Sequence, residues 1–191
     1  MDSRTQKKAL RDQLIKKRDA LSEEYRRSAS NGIFASLRSW KPYRNAKGVF
    51  TYVSFRSEPD THDIMEDILG EGRSLFVPRT RWEPKGLDLI RIRDRKELKV
   101  TRFGLHEPED HLPPALIQEI DLVLVPGLSF TLEGGRIGYG AGFYDHFLSE
   151  LPKEAPTVGV VFEEMISKNL PMESHDRPVQ YILSEKGIRK V

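Results

Sequence analysis

Apolar positions along the chain fall into two kinds of pattern, helical stripes and short solid runs. Leu10, Leu14, Leu21 and Tyr25 share one helical face with Arg18 among them, which predicts a first helix over residues 5–20. Ser22, followed by Glu23 and Glu24, reads as an N-cap with an acidic first turn, and Tyr25, Ala29, Ile33 and Leu37 form the stripe of a second helix. Residues 48–55 (GVFTYVSF) are a run of the kind a buried strand needs, and 56–59 form a loop at its carboxyl end. Asp60 or Thr61 then caps a helix that turns Ile64, Ile68 and Leu69 inward. Residues 73–78 predict a second short strand, and 87–93 (LDLIRIR) alternate as an exposed or edge strand does. A proline-started connector over 112–120 leads to buried runs at 121–125 and 157–162. A short helix beginning in 163–167 and a last strand near 181–183 complete the pattern. Strands alternating with helices argue for an α/β fold with a largely parallel core sheet.

Composition narrows this further. A chain of 191 residues is expected to form one domain with a sizeable core. With 38% apolar and 31% charged residues it suits a soluble enzyme, and no apolar run approaches the ~20 residues that span a bilayer. The first residues have no apolar signal core, and cysteine is absent, so disulfides, thiolate chemistry and cysteine-held metals are excluded. A cytoplasmic location is the expectation. The net charge of +2 conceals a gradient: residues 1–50 carry +8 and the remainder −6. A basic end can meet nucleic acid or an anionic ligand, although a solvated helix face is the commoner cause. Because that face lacks interleaved aromatics and the rest is acidic, no nucleic-acid or membrane partner is expected.

The richest chemistry lies in residues 122–148, LVLVPGLSFTLEGGRIGYGAGFYDHFL. A buried run ends at Pro126 and Gly127. Gly134, Gly135, Gly138, Gly140 and Gly142 follow, and a helix is predicted to start near Gly142 or Phe143. Strand, glycine loop and helix N-terminus together can hold a phosphate, through close backbone N–H groups and the positive end of the helix dipole. Arg136 offers a guanidinium fork for phosphate oxygens, and Asp145, one turn into the helix, a carboxylate for Mg²⁺. No Gly-Lys-Ser/Thr follows, so this is not a P-loop, and Phe143 stands where a dinucleotide motif needs its last glycine. A flexible glycine-rich loop is the plain alternative. Glu58 sits where ligands of open α/β sheets gather, yet by pattern alone a loop carboxylate in water is the stronger reading. His106 and His111 are lone loop histidines, and His175-Asp176 alone is a weak indication of a metal pair.

PGLSFTLEGGRIGYGAGFYDHFL resembles the signature of the 5-formyltetrahydrofolate cyclo-ligases, also called methenyltetrahydrofolate synthetases. The resemblance runs through Pro126, Gly127, Phe130, Gly134, Arg136, Gly138, Gly140, Gly142, Tyr144 and Asp145. Three positions depart from it: Thr131 stands where the family usually has Asp, Tyr139 where a basic residue is common, and Phe143 in place of the first of two tyrosines. Lys7-Lys8-Ala9-Leu10-Arg11 is similar to the family's Lys-x-x-Leu-Arg segment, which contacts ATP. Phe103-Gly104-Leu105-His106-Glu107-Pro108 is similar to its Gly-x-x-Glu-Pro turn. Residues 170–176 resemble its Leu-Pro-x-Glu-x-His-Asp segment, and Ser184-Glu185 its closing Thr/Ser-Glu, so the likeness spans Lys7 to Glu185.

The resemblance implies a single Rossmann-like three-layer domain over residues 1–191, with helices on both faces of a largely parallel sheet. It also implies an enzyme that converts 5-formyltetrahydrofolate to 5,10-methenyltetrahydrofolate with ATP and Mg²⁺. ATP phosphorylates the formyl oxygen, N10 attacks, the ring closes and phosphate leaves, so the protein positions groups and neutralises charge. Lys7, Lys8, Arg11 and the run Gly135, Arg136, Ile137, Gly138, Tyr139, Gly140, Ala141, Gly142, Phe143 are then expected at the nucleotide. Glu58, with Tyr139 to Phe143, is expected at the folate, and Asp145 and Asp176 at Mg²⁺. Arg136 and Tyr144 are the expected catalytic pair, Arg136 neutralising the phosphoryl group and Tyr144 or Phe143 stacking on a ring. As a loop arginine, Arg136 is expected to matter far more for turnover than for stability. Tyr139 cannot supply a charge, and Arg56 or Lys8 is the expected substitute. The partner is a small molecule, the folate with or without a polyglutamate tail, and a monomer is expected. The alternatives are an ATP-using ligase or kinase with another acceptor, a nucleic-acid-binding module on the basic N-terminal region, and a non-catalytic folate-binding protein.

Overall fold

A computed structural model describes residues 3–101, 104–152, 154–173 and 176–191, with the side chains of Ser3 and Arg4 excepted. Phe103 and His175, singled out in the sequence, lie outside the described residues. In chain order the elements begin with α1 (Ser3–Asp19), α2 (Glu23–Ser39), α3 (Lys41–Asn45), β1 (Gly48–Phe50), α4 (His62–Gly70), β2 (Ser74–Trp82) and β3 (Lys85–Ile92). They continue with β4 (Leu98–Val100), β5 (His106–Pro108), β6 (Leu122–Val125), β7 (Ser129–Phe130), β8 (Arg136–Ile137) and α5 (Phe143–Glu150). β9 (Thr157–Val160), β10 (Tyr181–Ser184) and β11 (Gly187–Lys190) close the chain.

Seven strands form one mixed sheet in the order β11-β10-β9-β6-β1-β2-β3. The five inner strands are parallel, while β11 and β3 run antiparallel at the edges. This is the largely parallel α/β sheet that the alternating pattern implies. Every residue of β1 and β6 is buried, as parallel strands covered on both faces must be. Phe50 of β1 stacks on Phe147 of α5 at 4.5 Å between ring centroids. Ile33 and Leu37 of α2 and Ile64 and Ile68 of α4 are fully buried, so the stripes read from the sequence are core faces. The Ser22 hydroxyl accepts from the Tyr25 amide at 3.1 Å, as the capping pattern requires. Among the described residues no helix is long and apolar enough to cross a membrane.

Several elements differ from expectation for physical reasons. The run at 48–55 is a strand only as far as Phe50. Beyond Thr51 the backbone turns to a side chain instead of a neighbouring strand: the Thr61 hydroxyl donates to the Tyr52 carbonyl at 2.9 Å and accepts from the Ser54 amide at 3.1 Å. This releases 54–58 to enter the site. Thr61 is the cap residue of α4 by position, but the capping oxygen is Asp60 Oδ1, 2.9 Å from the His62 amide. The strand expected at 73–78 continues to Trp82, because β3 pairs along it through the turn at Glu83-Pro84. Residues 163–165 make one 3-10 turn, not an α-helix. The ribbon β7–β8, the pair β4–β5, helix α3 and strand β11 carry no periodic apolar pattern and were not anticipated.

Candidate active site

The carboxyl ends of β1 and β6 open into a cavity of about 710 Å³. Its walls come from α1, the segment after β1, the β2–β3 hairpin, residues 105–107, the stretch from Arg136 to Asp145, and Glu173 with Asp176. A cavity of this size suits ligands of nucleotide or folate dimensions.

The glycine segment is not a plain loop. After Pro126 and Gly127 the chain makes the β7–β8 ribbon, closed by Thr131: its amide donates to the Gly135 carbonyl at 2.9 Å and its hydroxyl accepts from the Gly135 amide at 3.1 Å. Thr131 thus performs the turn-closing role open to an Asp at this position. Gly135 is buried in that turn and does not line the cavity, so the cradle begins at Arg136. Gly140 has φ of +96°, a conformation that L side chains rarely adopt, and a Cβ there would press on the Arg11 guanidinium at 2.9 Å. Gly142, at φ 72°, is the N-cap of α5 and makes no side-chain cap bond, which leaves the first amides of the helix beside the cavity.

Arg136 belongs to β8 and is buried, with 8% of its surface exposed. Its Nη2 donates to Asp145 Oδ1 at 2.7 Å, and its guanidinium lies 5.9 Å from the Tyr144 ring centre. Its Nε is buried with no hydrogen-bond partner among the described residues, a donor that an anion would satisfy. Arg136 therefore also supports structure, and its removal would strand Asp145, contrary to the expectation for a free loop side chain. Lys7 is 6% exposed and bridges Asp176 Oδ2 at 2.8 Å and Glu173 Oε2 at 3.1 Å. Arg11 Nε donates to the Gly138 carbonyl at 3.1 Å, which fixes α1 to the loop. Lys8 is exposed and does not line the cavity. Successive helix positions point about 100° apart, and Lys7 holds the inward one.

Asp145 and Asp176 both line the cavity, each already paired with a cation. No group of three or more carboxylates or imidazoles forms a metal cage among the described residues. Two carboxylates nevertheless fit Mg²⁺, which keeps waters and arrives with phosphate oxygens instead of needing an all-protein shell.

At the other end, Glu58 Oε2 accepts from the Phe55 amide at 3.0 Å and Oε1 from the Tyr139 hydroxyl at 2.9 Å. Burial pushes the Glu58 carboxyl up, against the pull of Arg18, the Phe55 amide and Tyr139. Burial and the neighbouring Glu58 push the Tyr139 phenol up to about 12. The Tyr144 phenol is raised further by burial, and its ring packs edge-on against Phe50 and Phe147, towards the core. Phe143 instead meets Trp82 edge-on at 5.4 Å. The basic group that reaches Tyr139 is neither Arg56, which is exposed, nor Lys8, but Arg18. The signal for it was available: an arginine on the leucine face of a helix must find polar partners inside.

A sequence model of the 5-formyltetrahydrofolate cyclo-ligase family matches residues 3–185. The chain is 31% identical to the 5-formyltetrahydrofolate cyclo-ligase of Mycolicibacterium smegmatis over 186 residues, 94% of each chain. It is 30% identical to that of Mus musculus over 189 residues, covering 94% of this chain and 93% of the mouse protein. The NMR structure of Aquifex aeolicus 5,10-methenyltetrahydrofolate synthetase superposes with a TM-score of 0.83 at 31% identity, covering 96% of this chain and 92% of that one. A 5,10-methenyltetrahydrofolate synthetase from Mycoplasma pneumoniae shares the fold, with a TM-score of 0.75 at 20% identity over 94% and 98% of the two chains.

Proposed function

Because this chain belongs to the 5-formyltetrahydrofolate cyclo-ligase family, we propose that it converts 5-formyltetrahydrofolate to 5,10-methenyltetrahydrofolate, with ATP consumed and ADP and phosphate released. The observation that carries this is the polarity of one cavity. A hydrogen-bonded carboxylate, Glu58, stands at one end, and buried cations with a glycine-built helix N-terminus stand at the other. Bound with Mg²⁺, ATP supplies the phosphoryl group that turns the formyl oxygen into a leaving group for attack by N10.

The protein's part is binding and charge placement. Arg136, Lys7 and the first amides of α5 meet the phosphate oxygens and neutralise the charge that builds during transfer. Asp145 and Asp176 are the carboxylates that would hold Mg²⁺, and Arg136 and Lys7, paired to them beforehand, then turn to phosphate. Arg11 keeps the loop carbonyl at Gly138 fixed and so holds the cradle's shape. Glu58 accepts from the N–H edge of the pterin, a donor array that suits a carboxylate. Phe143 and Trp82 offer an apolar wall for a ring, and Tyr144 backs Arg136. Residues 1–191 act as one domain, with the substrates bound at the carboxyl ends of the central strands.

Mixing the purified protein with 5-formyltetrahydrofolate, Mg²⁺ and ATP should produce methenyl absorbance, and none without ATP. Folate binding with no ADP formed would replace this proposal with a non-catalytic folate-binding protein. ADP formed only with another acceptor would make it a different ligase or kinase.

A further inference from the structure

The geometry points to Arg18 as a positioning residue for the folate half of the site: through the Tyr139 hydroxyl it fixes the Glu58 carboxylate in the cavity wall. This rests on the proposal that Glu58 receives the folate.

Arg18 is 2% exposed. Its Nε donates to Ser57 Oγ at 3.1 Å, its Nη1 lies 3.5 Å from the Gly127 carbonyl, and its Nη2 donates to the Tyr139 hydroxyl at 2.5 Å. Ser57 in turn donates to Asp19. The three direct partners of Arg18 are all uncharged. A guanidinium buried without a direct counter-ion is costly, and a leucine in this place on α1 would pack at no such cost. The residue is therefore poorly explained by packing alone.

The chemistry of the chain of bonds fixes its direction. A guanidinium only donates, so the phenol oxygen accepts from Arg18 and its single proton is left for Glu58, 2.9 Å away. Oε2 of Glu58 is held separately by the Phe55 amide. Both carboxylate oxygens are thus oriented, one of them by a cation standing one residue behind. A basic residue at 139 would make this ion pair directly. Here the charge comes from α1 and the reach from a tyrosine, whose ring also lies 5.6 Å from the guanidinium. Among the described residues, the other titratable groups acting with Glu58 are Tyr52 and Tyr144, both kept neutral by burial, and Arg18 is the cation that acts on it. The same arginine ties the 55–58 segment, through Ser57, to the start of the glycine motif, through Gly127.

The test uses the whole protein with Arg18→Met, Arg18→Lys and Tyr139→Phe. Two quantities are read: 5-formyltetrahydrofolate affinity by calorimetry without nucleotide, and titration of the Glu58 carboxyl by carbon-13 NMR, its resonance assigned with Glu58→Gln. Arg18→Met should weaken binding about tenfold, the loss expected for a hydrogen bond to a charged group. It should also move the Glu58 titration to higher pH. Arg18→Lys should leave the titration near wild type, because the charge remains, while recovering only part of the affinity. Tyr139→Phe, altered at a half-exposed side chain that leaves the fold intact, should weaken binding similarly, and the double variant with Arg18→Met should fall short of the summed losses. An Arg18→Met protein that only melts earlier, with wild-type affinity and titration, overturns the inference. So does strict additivity of the two substitutions. A wild-type protein that does not bind the folate would sink the functional proposal instead, and the NMR titration would still decide whether Arg18 governs Glu58.

Discussion

Burial holds the Glu58 carboxyl above its ordinary range, with Arg18, the Phe55 amide and Tyr139 drawing it back only in part. A group raised in this way stabilises the fold below its unfolded pKa, and that contribution is lost as pH rises through the folded value. Ionising Glu58 in the folded protein therefore opposes folding. Glu58→Gln is expected to raise Tm at pH 7, with the gain shrinking as pH falls towards the ordinary value of 4.5, and to weaken folate binding by about tenfold or more. Circular dichroism melts at several pH values and calorimetric titration check both halves. At this scale the sequence was informative about which side chains gather at the cavity. Lys7, Arg11, Glu58, Arg136, Asp145 and Asp176 all line the cavity at the positions a motif assigns them. It was uninformative for Arg18, which acts through another residue, and misleading for Lys8, since a motif written in one dimension does not say which of two adjacent helical lysines faces inward.

Among the elements, α2 was read most securely from sequence, because its cap and its stripe agree. Ser22→Ala removes the hydroxyl that accepts from the Tyr25 amide and is expected to lower stability by about 1 kcal/mol. A shift in the urea midpoint with cyclo-ligase activity unchanged would confirm this, since Ser22 does not line the cavity. Strands were read less well. An apolar run such as GVFTYVSF records that its residues are buried, not which partner takes up their backbone groups, and Thr61 takes those beyond Thr51. Two-residue strands such as β7 and β8 offer no period to detect, and β11, mostly polar and at the sheet edge, resembles a tail. Yet β7–β8 is the element that makes Arg136 a buried, aimed side chain instead of a loop one. That explains why its position was legible and its structural role was not.

For the molecule as a whole, substrates that bind only the folded state must stabilise it. MgATP and 5-formyltetrahydrofolate, each at about a hundredfold excess over its Kd, should each add about 2.7 kcal/mol and raise Tm visibly. Asp145→Asn with Asp176→Asn should abolish the share of that rise that depends on Mg²⁺, leaving the folate share in place. On the proposed function both ligands lean on α1, which reaches the phosphate end with Lys7 and Arg11 and the folate end with Arg18. The ion pair between Lys7 and Asp176 joins residues 169 positions apart. A chain still emerging from the ribosome thus carries its first helix and its glycine cradle before the two carboxylates that pair with Lys7, Glu173 and Asp176, have been made. Ligand competence therefore waits on synthesis of this late segment, and a product ending before Asp176 would leave Lys7 without that carboxylate.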